Sequence, residues 1–215
     1  MEVQNADAYF DGRPGRTYQS GYHSPVICEA CNKLTGARYG TEFAKWSEWG
    51  HVLLAEGRKK EPARIEGFRG CPLRIAKQIV ATMLAASQEE LISQRPDLRD
   101  FVVDPELAAR PGQIRLATYL CGTRSGRTTG LAVAMKPNAV AHWLVEFALP
   151  SFGYVLTVSG EPFDPRPCDI GWFTTCSFNE ERDVAVPRLH VLPTHEAFPG
   201  DYRTKNEIRR DMIVN

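Results

Sequence analysis

Two thiols three residues apart are the part of this sequence best placed to do chemistry. Cys28 and Cys31 lie in SPVICEACNKLTGARYG, residues 24–40, with Asn32 and Gly36 just downstream. A two-residue gap lets both sulfurs, and turn amides that hydrogen-bond to them, converge on one tetrahedral ion, so the string suits half of a structural zinc knuckle. The chain has no second CxxC, and further ligands would come from His23, His51, Cys71 or a remote group. An unmetallated structural pair is the alternative. A redox pair normally opens a helix after a buried strand, and that pattern is lacking here.

Other chemistry-bearing residues are scattered. His142 sits beside Trp143 in an apolar run, where a core histidine is expected. His190 and His195, with Cys168 and Cys176 upstream, would make a second metal cluster, but their spacings match no metal motif. TRSGRTTG, residues 123–130, offers two arginines and several hydroxyls to an anion, yet it reads more simply as an exposed hairpin turn. There is no nucleophile elbow, phosphate-binding loop or dinucleotide fingerprint.

The elements that must position these groups change character along the chain. Residues 1–16 carry Gly12, Pro14 and Gly15 without periodicity, and residues 18–27 read as a strand or hairpin arm leading into Cys28. A helix is expected from Thr41 to about Glu56, with Phe43, Trp46, Gly50, Leu53 and Leu54 on one face. Residues 58–77 hold seven cations, Arg58, Lys59 and Lys60 among them, against two acids, a net five positive charges. That stretch is expected to be a solvated connector able to meet phosphates. Pro72 then opens a helix through Ser87, apolar over most of its circumference, and a short second helix spans Gln88 to Gln94. The remainder is strand-rich: 113–122 and 130–136 form one expected hairpin, and 139–149 and 152–160 a second. Residues 182–194 are extended with Pro187 at an edge or bulge, and residues 202–212 close the chain as a helix. Helices first and antiparallel strands after argue an α+β fold: a front module over 1–57, then 58–215 built on the central helix 72–87 and antiparallel strands over 113–193.

Cys28-Glu29-Ala30-Cys31-Asn32, with Thr35-Gly36, Tyr39-Gly40 and then Phe43 and Trp46, resembles the second half of the treble-clef zinc module of HNH endonuclease-like proteins. The helix over 71–87 adds a weaker likeness to bacterial and phage proteins carrying that module. The resemblance implies a ββα unit in which Cys28 and Cys31 hold structural zinc. It further implies that Asn32, with His23 as a substitute base, holds a divalent ion such as Mg²⁺ for phosphodiester hydrolysis. Lys33, Arg38, Arg58, Lys59 and Lys60 would then take phosphates of a nucleic-acid partner. The sequence departs from the pattern upstream: Ser24 stands where the family's middle Asn belongs, and the first 22 residues contain neither Cys nor His. Either the start is placed too late or the module is degenerate, keeping its shape and nucleic-acid affinity without cleavage.

Composition narrows the alternatives. The 215 residues carry 26 Lys+Arg and 26 Asp+Glu and are 43% hydrophobic, as in ordinary globular proteins and unlike a disordered polyion. No apolar run is long enough to span a bilayer, and the polar start does not resemble a secretory signal, so a cytoplasmic protein with reduced thiols and no membrane partner is expected. Net neutrality also suits a different function, a non-catalytic structural or protein-interaction protein whose strand-rich half is the working surface.

Overall fold

The computed structural model of the chain describes residues 29–57, 63–122, 127–135, 141–159, 162, 164–193, 200–204, 206–207 and 209–210. Helices dominate the first half and strands the second, an α+β arrangement. The chain is already helical at Glu29: α1 (Glu29–Thr35) passes through a π-helical turn (Gly36–Gly40) straight into α2 (Thr41–Gly57). The helix expected from Thr41 is therefore present, but the string before it is helix as well. Within the stretch read as a connector, Ala63–Gly70 forms β1. It was not legible because its apolar alternation is interrupted by a bulge, where Gly67 takes a positive φ of 80°.

α3 (Pro72–Gln94) is one helix of 23 residues, absorbing the separate helix expected over 88–94. Nothing between Ser87 and Gln94 forbids continuation, and the chain turns only at Arg95, ahead of Pro96. Pro96 then opens α4 (Pro96–Val103), an element without a sequence expectation. α3 buries Leu73, Ile75, Ala76, Ile79, Val80 and Met83 completely, as its apolar circumference implied. Its N-terminus is held by Glu42 of α2, whose Oε2 accepts the Cys71 N–H at 3.1 Å while Oε1 takes Lys45 at 2.6 Å. Burial pushes the Glu42 carboxyl up, but those two hydrogen bonds outweigh it and leave its pKa below the ordinary value.

The strands are β2 (Arg115–Cys121), β3 (Arg127–Thr128), β4 (Ala132–Met135), β5 (Ala141–Leu149), β6 (Phe152–Ser159), β7 (Cys168–Asp169), β8 (Arg182–Leu189) and β9 (Val191–Leu192). β1 and β8 pair antiparallel as a two-stranded ribbon. The other seven form one curled sheet in the order β3–β5–β6–β2–β7, with β4 also on β5 and β9 parallel to β2. The β5–β6 hairpin forms as expected across Pro150 and Ser151. The hairpin expected between 113–122 and 130–136 does not: β2 pairs with β6, and β4 with β5. Adjacent apolar runs suggested a local pairing, but sheet order is settled by long-range packing that a single turn signal does not contain.

Strand alternation gives this sheet two different faces. Leu116, Leu120, Val145, Phe147, Phe152, Tyr154 and Leu156 face the helices and join the larger core with Tyr39, Trp46 and Leu53. Trp46 is its hub: the indole stacks on Phe152 with ring centres 4.7 Å apart and donates to the Tyr154 hydroxyl at 3.0 Å. One turn further on, Gly50 brings α2 so close to the β5–β6 hairpin that any Cβ there would overlap the Phe152 ring. The second face carries Tyr119, Cys121, Leu144, Ala148 and Val155, a smaller cluster to which Tyr202 belongs. Of the closing helix expected over 202–212, residues 202–204 are not helical, while 206–207 and 209–210 are. No helix among the described residues is long and apolar enough to cross a membrane.

Candidate functional site

Four of the residues singled out for chemistry lie on the first helical stretch. α1 buries no side chain, and Cys31 and Asn32 are both exposed. The Thr35 hydroxyl donates back to the carbonyls of Cys31 and Asn32, at 3.1 and 3.2 Å. Lys33 pairs with Glu29 at 2.5 Å on the open surface, a contact of small energetic weight. Arg38 reaches across to the Val103 carbonyl at 3.0 Å, so its guanidinium caps the C-terminus of α4. His23, Cys28, Arg58, Lys59 and Lys60 lie outside the described residues. Among the described residues no three His, Cys, Asp or Glu side chains converge as a metal site. Cys71, a candidate ligand, is buried at the start of α3, where burial and then the Glu42 charge push its thiol pKa up.

The second expected cluster also separates. Cys176 is packed in the larger core and His195 lies outside the described residues. Cys168 and His190, however, line a cleft of about 570 Å³ where β2 meets β6 and β7. β2 contributes Arg115 and Ala117, and β6 contributes Thr157 directly opposite Arg115. β7 places Cys168 and Asp169 alongside, Arg188 comes from the end of β8, and the rim is the proline-rich loop Asp164–Pro167.

The electrostatics of this cleft follow from how its two acids are used. Asp164 holds Arg166 in a two-pronged ion pair, Nε to Oδ1 at 3.0 Å and Nη2 to Oδ2 at 2.7 Å, and also accepts the Arg166 N–H at 2.9 Å. Asp169 accepts the Gly171 N–H at 2.6 Å and opens a 3₁₀ turn (Gly171–Thr175). Arg188 makes no hydrogen bond or ion pair through its side chain with the described residues, and its guanidinium is exposed at the cleft edge. The opening thus holds three arginines, two aspartates and a histidine: Asp164 offsets Arg166, and Asp169, bonded only to a backbone N–H, keeps its charge beside Arg115 and Arg188. Burial raises the Cys168 thiol pKa, against a backbone hydrogen bond from Arg188 that lowers it. A thiol held protonated at neutral pH is a poor nucleophile and a poor metal ligand.

On the smaller-core face of the sheet, Tyr119, Arg127 and Glu146 form a closed polar cluster with no sequence expectation. Glu146, fully buried, accepts the Tyr119 hydroxyl at 2.5 Å, Arg127 Nη2 at 2.5 Å and the Gly200 N–H at 2.9 Å. Burial, then the Glu146 charge, pushes the Tyr119 phenol pKa far above its ordinary value. Arg127, expected in an exposed turn, is instead buried here, because the β3–β5 pairing turns it inward onto Glu146. A signal was present: Leu144, Glu146 and Ala148 share one strand face, and an acid on an otherwise apolar period-two face implies a buried partner. Comparisons with protein-family models, with curated proteins and with solved structures yield no match for this chain.

Proposed function

We propose that the protein binds nucleic acid, and that the arginine-lined cleft is its principal phosphate-binding surface. The observation that carries this reading is the gathering of Arg115, Arg166, Arg188 and His190 around one opening, an excess of one cation over Asp164 and Asp169 there in a chain of zero formal charge. Guanidinium groups suit phosphate because they present forked donors and stay charged at any physiological pH. Concentrating them on one face gives a neutral protein a local attraction for a polyanion. The likeness to HNH-type modules supports the same partner from the other end of the chain, where Lys33 is exposed on α1.

Binding is the proposed activity, and cleavage is left out of it. The amide of Asn32 is exposed on α1, and no cluster of acids, histidines and cysteines surrounds it among the described residues, so the donor set does not fit a catalytic Mg²⁺. A structural zinc fits better. Its ligands would be the two thiols of the CxxC string, of which Cys31 is exposed on α1. α1 buries nothing of its own, and such an ion would supply the anchor that packing does not.

Two measurements test these statements. Arg188→Glu is expected to weaken binding of a labelled mixed-sequence oligonucleotide about tenfold and to lower the slope of log K against log salt by about 1 to 2. Fluorescence anisotropy between 50 and 200 mM salt reads both quantities, and unchanged affinity and slope would remove the cleft from the interface. Metal analysis of purified protein is expected to find zinc, lost in Cys31→Ser and retained in Cys176→Ser. Zinc-free wild-type protein from zinc-replete medium would refute the metal assignment and leave the cleft reading untouched.

A further inference from the structure

We infer that the cleft takes single-stranded nucleic acid, with one nucleoside unit inserted between the proline-rich rim and the sheet. The inference rests on the nucleic-acid reading above and adds the class of strand. A cavity of about 570 Å³ has the size of a small-ligand pocket, far more room than a single phosphate needs. A duplex keeps its bases stacked inside and offers a concave site only its sugar-phosphate surface. A single strand can splay a base out, lay its face on a planar or apolar side chain and present its edge to hydrogen-bonding groups.

The walls supply those parts in separate places. Pro162, Pro165 and Pro167 line the rim side and Ala117 the sheet side, giving apolar surface for a flat ring. His190 and Arg188 are the planar groups at the opening, both of a kind that stacks on bases. Thr157 places a hydroxyl in the lining, able to donate or accept at a base edge. Arg115 also lines the cleft and Arg188 is exposed beside it, where cations can meet the backbone phosphates on either side.

The site is also held in shape before any ligand arrives. The Asp164–Arg166 fork, the Asp164 turn hydrogen bond and the Asp169–Gly171 hydrogen bond brace both ends of the loop, and proline fixes the φ angle at positions 165 and 167. A braced opening loses little conformational freedom on binding, which favours a defined insertion over loose charge contact.

The experiment compares the full-length protein against a labelled oligothymidylate, the same strand annealed to its complement, and thymidine 5′-monophosphate and inorganic phosphate as competitors. The single strand is expected to bind at least tenfold more tightly than the duplex at equal salt. The mononucleotide should compete at concentrations where inorganic phosphate does not. His190→Ala is expected to cost the single strand about tenfold and the duplex far less, since the stacking contact is lost only to an inserted base. Equal affinity for single strand and duplex, or equal losses from His190→Ala, overturns base insertion while nucleic-acid binding stands. Failure of both strands to bind overturns the inference together with the reading beneath it.

Discussion

Glu146→Leu should lower the stability of the folded protein by about 3–5 kcal/mol, the cost of leaving a buried cation without its counter-charge. The Arg127 side chain is 3% exposed and the Glu146 side chain 0%, so water cannot replace the lost carboxylate. Tyr119 and the Gly200 N–H lose their acceptor in the same step. The informative variant is the double replacement, Glu146→Leu with Arg127→Met. Removing both charges also removes the need to pair them, and apolar side chains of similar volume often restore the lost stability. Urea denaturation of wild type, the single variant and the double variant is expected to place the double variant much closer to wild type. A single variant within about 1 kcal/mol of wild type would show that the ion pair does not organise this face. Oligonucleotide affinity of the double variant should stay close to wild type, because neither Glu146 nor Arg127 lines the cleft.

Lys77→Met should cost about 3 kcal/mol or more at neutral pH, because one buried ammonium holds three backbone carbonyls at and beyond the end of a helix. Lys77 is fully buried in α3 and donates to the carbonyls of Phe101, Asp104 and Leu107, the last two at 2.8 Å. Phe101 and Asp104 sit at and just beyond the C-terminal turn of α4, whose last carbonyls have no partner within the helix. The ammonium also lies 4.0 Å from the centre of the Phe101 ring. Methionine keeps the length and removes every donor.

The pH dependence of this variant has a definite sign. Burial, opposed by the nearby Asp104 and Glu106 charges, pushes the Lys77 pKa down to about 8 from an ordinary 10.5. Between those values the unfolded chain holds a proton that the folded chain has released, so raising the pH favours the folded state. Below about pH 8 both states hold the proton, and the burial penalty is felt in full. The stability gap between wild type and Lys77→Met is therefore expected to widen in favour of wild type from pH 7 to pH 9.5. A gap that stays flat or narrows across that range would mean that Lys77 keeps its proton throughout.

Particular residues show how far the sequence reaches into the fold. Trp46, Leu53 and Leu54 recur at helical spacing, and that spacing alone marks the buried face of α2. Pro72 and the apolar run after it mark α3, and the pair of apolar strands around Pro150 and Ser151 marks β5 and β6. These elements are legible because period and turn chemistry act over a few residues. β1 was not legible, since a bulge at Gly67 breaks its alternation and its partner β8 lies more than a hundred residues away. α4 is hidden for a different reason: eight residues hold too few turns for a clear apolar stripe, and Pro96 both stops one helix and starts the next.

The candidate site divides along the same line. From the sequence alone come the mixed α+β order, the buried faces of α2 and α3, the β5–β6 hairpin and the single CxxC string with its HNH-like surroundings. Only the tertiary structure decided that Arg115, Arg166, Arg188 and His190 share one cleft, and that Arg127 turns inward to Glu146. Local periodicity specifies which side of an element is apolar. Which distant charges meet depends on strand order and sheet curl, and those are set by the packing of two cores on opposite faces of one sheet.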